Sequence, residues 1–161
     1  VLLFTVLDTL ERLSDRRLTE MCTLAFAQRT LERVRDAVPA EAAEVLLPAA
    51  ERAVRALAKV QDGFYLRRQT SAATIDFVLT DGTAESYTPE TAAAEYIRVL
   101  RNATHGHGSN RDDAVPRTDA LLAHHDGSLD HDLALLGYLY LLDLMSTPAL
   151  LRRVLSASVR V

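Results

Sequence analysis

Residues 88–106, TPETAAAEYIRVLRNATHG, contain signals for both ends of a helix. Thr88 can cap the first turn, Pro89 suits the first helical position, and Gly106 stops the helix after its polar last turn. Apolar side chains recur at every third or fourth position between these ends, which is typical of a face that packs against a core. The segment therefore predicts a helix inside a helical fold.

The residues immediately before this helix follow a different pattern. In residues 75–80, IDFVLT, every second side chain is large and apolar, and Asp81-Gly82 is a strong signal for a tight turn. We expect a small β-hairpin insert at about 74–87. An isolated hairpin is marginally stable, so it should lie on the bundle or pair with another chain.

The segments on the N-terminal side of the hairpin are helical in pattern. We expect one helix in residues 1–13, a second from Ser14 to the break at Pro39, and then a long helix that Pro48 kinks or divides. The apolar side chains expected to face inward from the long helix are Val45, Leu46, Ala49, Val54, Leu57 and Ala58.

Three further helices are expected after the central one. Residues 118–127 predict a short helix, residues 128–145 predict a strongly apolar helix capped by Ser128, and Thr147-Pro148 begins the last helix. The sequence thus predicts an all-α fold, a helical bundle of about five to seven helices with the hairpin as its one β element.

Length, charge and cysteine content limit the class of protein. The 161 residues suit a single domain, 1–161, and the lack of Met at position 1 is compatible with a piece of a longer chain. The net charge of −4 argues against a protein that coats nucleic acid, but it allows a local basic site. Cys22 is the single cysteine, and neither a signal segment nor a membrane span is recognised, so we expect a cytoplasmic protein.

The end of the central helix has the densest set of reactive side chains. Arg98, Arg101 and His105 lie on one side of a helix, Asn102 is adjacent, and His107 follows the stop. A helix C-terminus favours a protonated imidazole, and a guanidinium can hold a phosphate. A base, an acid and a fixed cation are the groups needed to cleave RNA without a metal, because the ribose 2′-hydroxyl is the nucleophile.

An arginine and a histidine separated by four to six residues, the first of which is polar, late in an all-helical domain, resemble the HEPN family. Arg101, Asn102 and His107 fit this pattern with five intervening residues, whereas His105 has only three, one fewer than the pattern, but has the better helical spacing. Many HEPN proteins are metal-independent ribonucleases of toxin–antitoxin or phage-defence systems, and others are non-catalytic.

The resemblance implies a role for each residue. Arg101 would hold the scissile phosphate, His105 or His107 would act as general base or acid, and Asn102 would orient the phosphate or the imidazole. It also implies RNA as substrate, a homodimer, an antitoxin or another protein as a further partner, and no cofactor.

The histidines also allow a metal site. His107, His125 and Asp126, with Asp132 or Asp143 as a later ligand, offer groups that suit zinc, manganese or iron. This order resembles the HD-domain metal phosphohydrolases, although that family has a larger bundle and its last aspartate lies much further along the chain. Another alternative is a non-catalytic helical module that binds a protein or a nucleotide.

Overall fold

The computed structural model describes residues 6–7, 9–12, 17–67, 73–79, 81–105 and 127–158. Residues 6–7 and 9–12 are helical. The elements that follow are α1 (Leu18–Met21), α2 (Leu24–Ala37), α3 (Ala40–Arg67), β1 (Ile75–Val78), β2 (Ala84–Tyr87), α4 (Pro89–His105), a 3-10 turn (Gly127–Leu129), α5 (Asp130–Ala134), α6 (Leu136–Ser146) and α7 (Pro148–Ser158). The predicted fold class, a helical bundle with one small hairpin, is confirmed.

The helix expected over residues 14–38 is interrupted at Cys22 and Thr23, so the prediction of a continuous helix is wrong. The Thr23 hydroxyl accepts a hydrogen bond from the Phe26 amide at 3.3 Å and donates one to the Glu20 carbonyl at 2.8 Å. A threonine that caps a helix in this way satisfies an amide that lacks a partner within the helix. Thr23 is therefore the N-cap of α2, which begins at Leu24.

The next two helices, α2 and α3, are joined by the predicted break at Pro39. The Arg35 side chain of α2 donates to Glu51 Oε1 of α3 at 3.0 Å, across the pair of helices. Pro48 lies inside α3, which continues through it as one element of 28 residues. Of the two outcomes predicted for Pro48, division of the helix is excluded.

The buried side of α3 runs through Leu47, Val54 and Leu57, and Val45 lies elsewhere on the helix. Val45 is 78% exposed, so its predicted inward position is wrong. It precedes Leu47 by two residues, which places it about 200° around the helix, almost on the opposite side. The apolar run Val45–Leu47 is too short to show which of its members faces the core.

The bundle is arranged around α3, which packs against α2, α4, α5 and α6. Phe26 and Arg33 of α2 contact Tyr140 and Asp143 of α6, so α2 and α6 pack side by side. Apolar side chains from all these helices form one core cluster. Its large members with almost no exposure include Leu57, Ile97, Leu133, Leu136 and Leu139.

The hairpin lies on this bundle, the first of the two placements predicted for it. Its strands are antiparallel, with Val78 opposite Ala84, and Gly82 in the turn has a φ of +87°, which favours glycine. The ring of Phe77 lies 6.1 Å from the ring of Phe64 on α3. The buried side of β1 therefore joins the core.

The apolar helix expected over residues 128–145 is divided into the 3-10 turn, α5 and α6. The break falls at Leu135, whose amide donates to the Asp132 carbonyl at 3.1 Å. Ser128 lies within the 3-10 turn, and α5 has no side-chain cap. Both the continuous helix and its predicted cap are therefore wrong, because the apolar composition gives no signal for the break.

Two of the predictions fall on other parts of the chain. Ser14, the expected cap of the second helix, lies outside the described residues, and so does the short helix expected at 118–127 except for Gly127. In the ranges that the structure describes, no helix has both the length and the apolar composition needed to cross a membrane.

Candidate functional site

The predicted site residues lie at the end of α4, and the core surrounds the body of this helix. α4 begins as predicted, with the Thr88 hydroxyl accepting a hydrogen bond from an amide of its first turn at 3.3 Å. In residues 92–100 every side chain is buried except that of Arg98, which is partly exposed. The helix ends at His105, as the sequence predicts. Its last turn therefore extends from a segment that is fixed by packing.

The water-facing side of α4 is marked by Thr91, which is exposed, and Arg98. These two residues are seven positions apart, or about two helical turns. His105 follows Arg98 at the same interval, and Arg101 is one turn before His105. The helix position of His105 therefore continues the water-facing side, whereas Arg101 lies two turns after Ala94, which is buried.

The structure describes the remaining predicted site residues only in part. The backbone of α4 includes Arg101, Asn102 and His105. Three predicted residues lie outside the described part of the chain, namely His107, His125 and Asp126. The pairing of a guanidinium with an imidazole at this helix end stays a prediction.

Arg98 forms an ion pair with Glu95. The Nε and Nη2 atoms of Arg98 both contact Glu95 Oε2 at 2.6 Å, and the two side chains are 19% and 11% exposed. A carboxylate this close compensates the charge of the guanidinium. Arg98 is thus poorly suited to hold a phosphate. Of the two arginines predicted at this helix end, Arg101 is the one that remains as a candidate.

Strand β2 contributes a tyrosine beside this ion pair. The Tyr87 hydroxyl donates to Glu85 Oε2 at 2.7 Å. Burial, the hydrogen bond to Glu85 and the charges of Glu85 and Glu95 raise the pKa of Tyr87, while Arg98 opposes them. Tyr87 stays neutral at physiological pH and acts there as a hydrogen-bond donor. The hairpin is therefore part of the surroundings of the middle of α4.

The sequence contained a signal for one of these contacts. Glu95 and Arg98 are three residues apart on a predicted helix, a spacing that brings opposite charges together. The proximity of Tyr87 to them depends on how the hairpin lies on the bundle, and no spacing in the sequence predicts it.

Asp132 and Asp143, either of which could be the later ligand in the metal alternative, both form ion pairs with arginines. Asp132 Oδ1 lies 3.4 Å from Arg52 Nε. Asp143 accepts hydrogen bonds from Nε and Nη2 of Arg33 at 3.2 and 2.9 Å. Among the described residues, no group of three or more His, Cys, Asp or Glu side chains is arranged to hold a metal. The ion pairs compete with metal binding at both carboxylates.

Asp143 belongs to a polar cluster between α2 and α6. Arg33 also donates to the Thr30 hydroxyl at 3.1 Å, and the Tyr140 hydroxyl donates to the Met21 carbonyl. The hydrogen bond to Asp143 raises the pKa of Arg33, and burial raises the pKa of Tyr140 well above its ordinary value. Each group has a protein partner, so the cluster joins two helices and leaves no group for a ligand.

A separate open depression of about 320 Å³ lies where α1 meets α2. Glu20, Thr23, Phe26 and Arg29 line it. None of the predicted site residues is among these four, and the depression is distinct from the end of α4.

Comparison of the chain with protein-family models, with curated proteins and with solved structures gives no match. The HEPN assignment therefore stays a hypothesis that depends on Arg101, Asn102 and the two nearby histidines.

Proposed function

We propose that this protein is a HEPN-like RNA-binding protein and metal-independent endoribonuclease of the kind found in toxin–antitoxin or phage-defence systems. The observation that supports this most is the end of α4, where the backbone brings Arg101, Asn102 and His105 together in the last turns of a helix whose body is buried. A rigid helix end fixes the positions from which a guanidinium and an imidazole act. Fixed geometry accounts for much of the rate gain in catalysis by positioned groups.

The proposed reaction uses the 2′-hydroxyl of the RNA as nucleophile. His105 or His107 takes its proton, the oxygen attacks the adjacent phosphorus, and the bond to the 5′ oxygen breaks. An imidazolium then gives a proton to that leaving oxygen, so the products are a 2′,3′-cyclic phosphate and a 5′-hydroxyl. Arg101 balances the negative charge that develops on the phosphate, and Asn102 orients the phosphate or the imidazole.

The proposal includes a homodimer. One chain supplies one Arg101 and its neighbouring histidines, and a twofold axis would bring two such sets to a shared groove. An antitoxin or another protein would then bind as a further partner. Light scattering is expected to give twice the mass of the chain, and a strict monomer would contradict the shared groove.

The enzymatic proposal is tested by incubating the protein with RNA in EDTA. Wild-type protein should cleave, Arg101→Ala should be on the order of 10²–10³ slower, and His105→Ala/His107→Ala on the order of 10²–10⁴ slower. The single histidine variants identify which ring acts. All variants should keep a melting temperature within a few degrees of wild type.

Two exposed residues away from α4 are matched controls. Arg12→Ala and His131→Ala remove the same two types of side chain and should cleave at the wild-type rate. Arg101→Ala cleaving as fast as wild type would refute the proposal. RNA binding without cleavage would favour the non-catalytic module, and EDTA-sensitive phosphatase activity would favour the metal alternative.

A further inference from the structure

A row of cations lies on the exposed side of α3, away from the predicted site residues. Arg52, Arg55 and Lys59 are all exposed, and their spacing of three and four residues places them on one side of the helix. Arg35 of α2 joins them through its contact with Glu51 at 3.0 Å. We call these four cations the cationic ridge.

The carboxylates beside the ridge neutralise it only in part. Glu51 contacts both Arg35 and Arg55, the latter at 3.6 Å, and Asp132 lies 3.4 Å from Arg52. The arginines of these pairs are about half exposed or more and the carboxylates about one third exposed, and ion pairs at such surface sites contribute about 1 kcal/mol or less, so they exchange readily.

Lys59 has no ion-pair partner among the described residues, and Asp62, three positions further, bounds the ridge. Four cations thus face three carboxylates, Glu51, Asp132 and Asp62, on a chain whose net charge is −4. This local excess of positive charge is complementary to a polyanion, although the protein as a whole is acidic.

We propose that the cationic ridge binds the sugar-phosphate backbone of the RNA that the end of α4 would cleave, and this inference rests on the proposed function. Arg52 and Lys59 are separated by about 10.5 Å along the helix axis, at about 1.5 Å per residue. At about 3.4 Å of rise per nucleotide, that distance spans about three phosphates. Guanidinium forks bind phosphate oxygens in pairs, and the weak contacts with Glu51 and Asp132 give way to them.

Binding should be insensitive to base sequence and steeply dependent on salt. Each phosphate contact to a single strand contributes about −0.7 to the slope of log affinity against log salt concentration. Removal of Arg52, Arg55 and Lys59 should therefore make the slope about two units shallower, and it should weaken binding at 100 mM NaCl by on the order of tenfold or more.

The experiment measures fluorescence anisotropy of a labelled 15-nucleotide 2′-O-methyl oligouridine between 50 and 300 mM NaCl. This probe lacks the nucleophile and cannot be cleaved. The test variant is Arg52→Gln/Arg55→Gln/Lys59→Gln. The control, which changes three other exposed arginines and alters the net charge equally, is Arg12→Gln/Arg17→Gln/Arg152→Gln.

The proposal holds if the test variant loses affinity and slope while the control binds like wild type and both melt normally. It is overturned if test and control variants lose affinity equally, if the slope is unchanged, or if wild type ignores the oligonucleotide and binds anionic lipid vesicles. Failure of the nuclease proposal looks different, because all-ribose RNA then stays uncut while ridge-dependent binding of the 2′-O-methyl probe persists.

Discussion

Replacing Arg33 should destabilise the protein more than replacing its partner Asp143. The Arg33 side chain is 47% exposed, whereas the Asp143 side chain is 6% exposed. If Asp143 loses its charge, Arg33 can turn to water. If Arg33 loses its charge, the carboxylate of Asp143 stays buried and its charge is uncompensated.

The magnitudes follow from this asymmetry. Breaking a fully buried ion pair costs about 3–5 kcal/mol, and the exposure of Arg33 lowers the expected loss for Arg33→Met to about 2–3 kcal/mol. Methionine keeps most of the aliphatic stem, so the loss reports the charge. Asp143→Asn keeps the shape and should cost about 1 kcal/mol, the net contribution of a hydrogen bond. Adding Asp143→Asn to Arg33→Met should restore about 1 kcal/mol.

The free energies of unfolding are measured by urea titration at pH 7 with far-ultraviolet circular dichroism. Arg29→Met, one turn earlier on the same helix and exposed, is the matched control and should change stability by about 0.5 kcal/mol or less. If Asp143→Asn is as destabilising as Arg33→Met, or if the double variant is less stable than Arg33→Met, uncompensated burial of the carboxylate is not the cause.

Three further substitutions test single contacts. Tyr140→Phe should lower the free energy of unfolding by about 1–2 kcal/mol at pH 7, because a buried carbonyl loses its hydrogen-bond donor. Burial raises the pKa of Tyr140 in the folded protein, so the contribution of its hydroxyl to stability is full below about pH 10 and falls as the pH rises through the folded pKa. Urea titrations of the wild type and the variant should therefore give converging stabilities at alkaline pH. Thr23→Ala should cost about 1 kcal/mol through loss of the α2 cap, measured by thermal unfolding, and an unchanged melting temperature would contradict the capping role. Hydrogen bonds from Thr83 lower the pKa of Asp81, so the Asp81 carboxylate stabilises the turn fully above about pH 3.9 and loses this effect as the pH falls through its folded pKa. In an NMR titration, the chemical shift of the Thr83 amide should change with a midpoint below about pH 3.9. A midpoint above that pH would contradict the contact.

The elements predicted correctly have local signals for their ends. Asp81-Gly82 specified the hairpin turn, and Thr88-Pro89 specified the beginning of α4. In each case the turn or helix end is determined by the side chains and backbone preferences of a few neighbouring residues. Such local effects can be recognised from the sequence alone. The position of Arg101 at the end of a helix followed from the same kind of signal.

The errors arise where tertiary packing decides between similar local patterns. The breaks at Thr23 and Leu135 fall inside apolar runs that are equally compatible with a continuous helix. Val45 is apolar yet exposed, because the core lies on the other side of α3. The pair formed by Arg33 and Asp143 spans 110 positions, and no sequence spacing predicts it.

The candidate site divides in the same way. The sequence predicted the helix end that holds Arg101 and His105, and it contained a spacing that would have revealed the Glu95 and Arg98 ion pair. It gave no indication that the hairpin brings Tyr87 close to that pair, since this depends on the packing of the hairpin on the bundle. The catalytic roles stay predictions.

The contact between α2 and α6, which are far apart in the sequence, has a consequence for synthesis on the ribosome. At about 5–20 residues per second, α2 is complete some 5–20 s before Asp143 joins the chain. During that delay the apolar side of α2 that α6 later covers has no α6 to cover it, and Arg33 has no carboxylate to meet. The nascent chain therefore passes through a period in which a chaperone can bind the uncovered helix, and this period ends only after Asp143 has been added and α6 has left the ribosome.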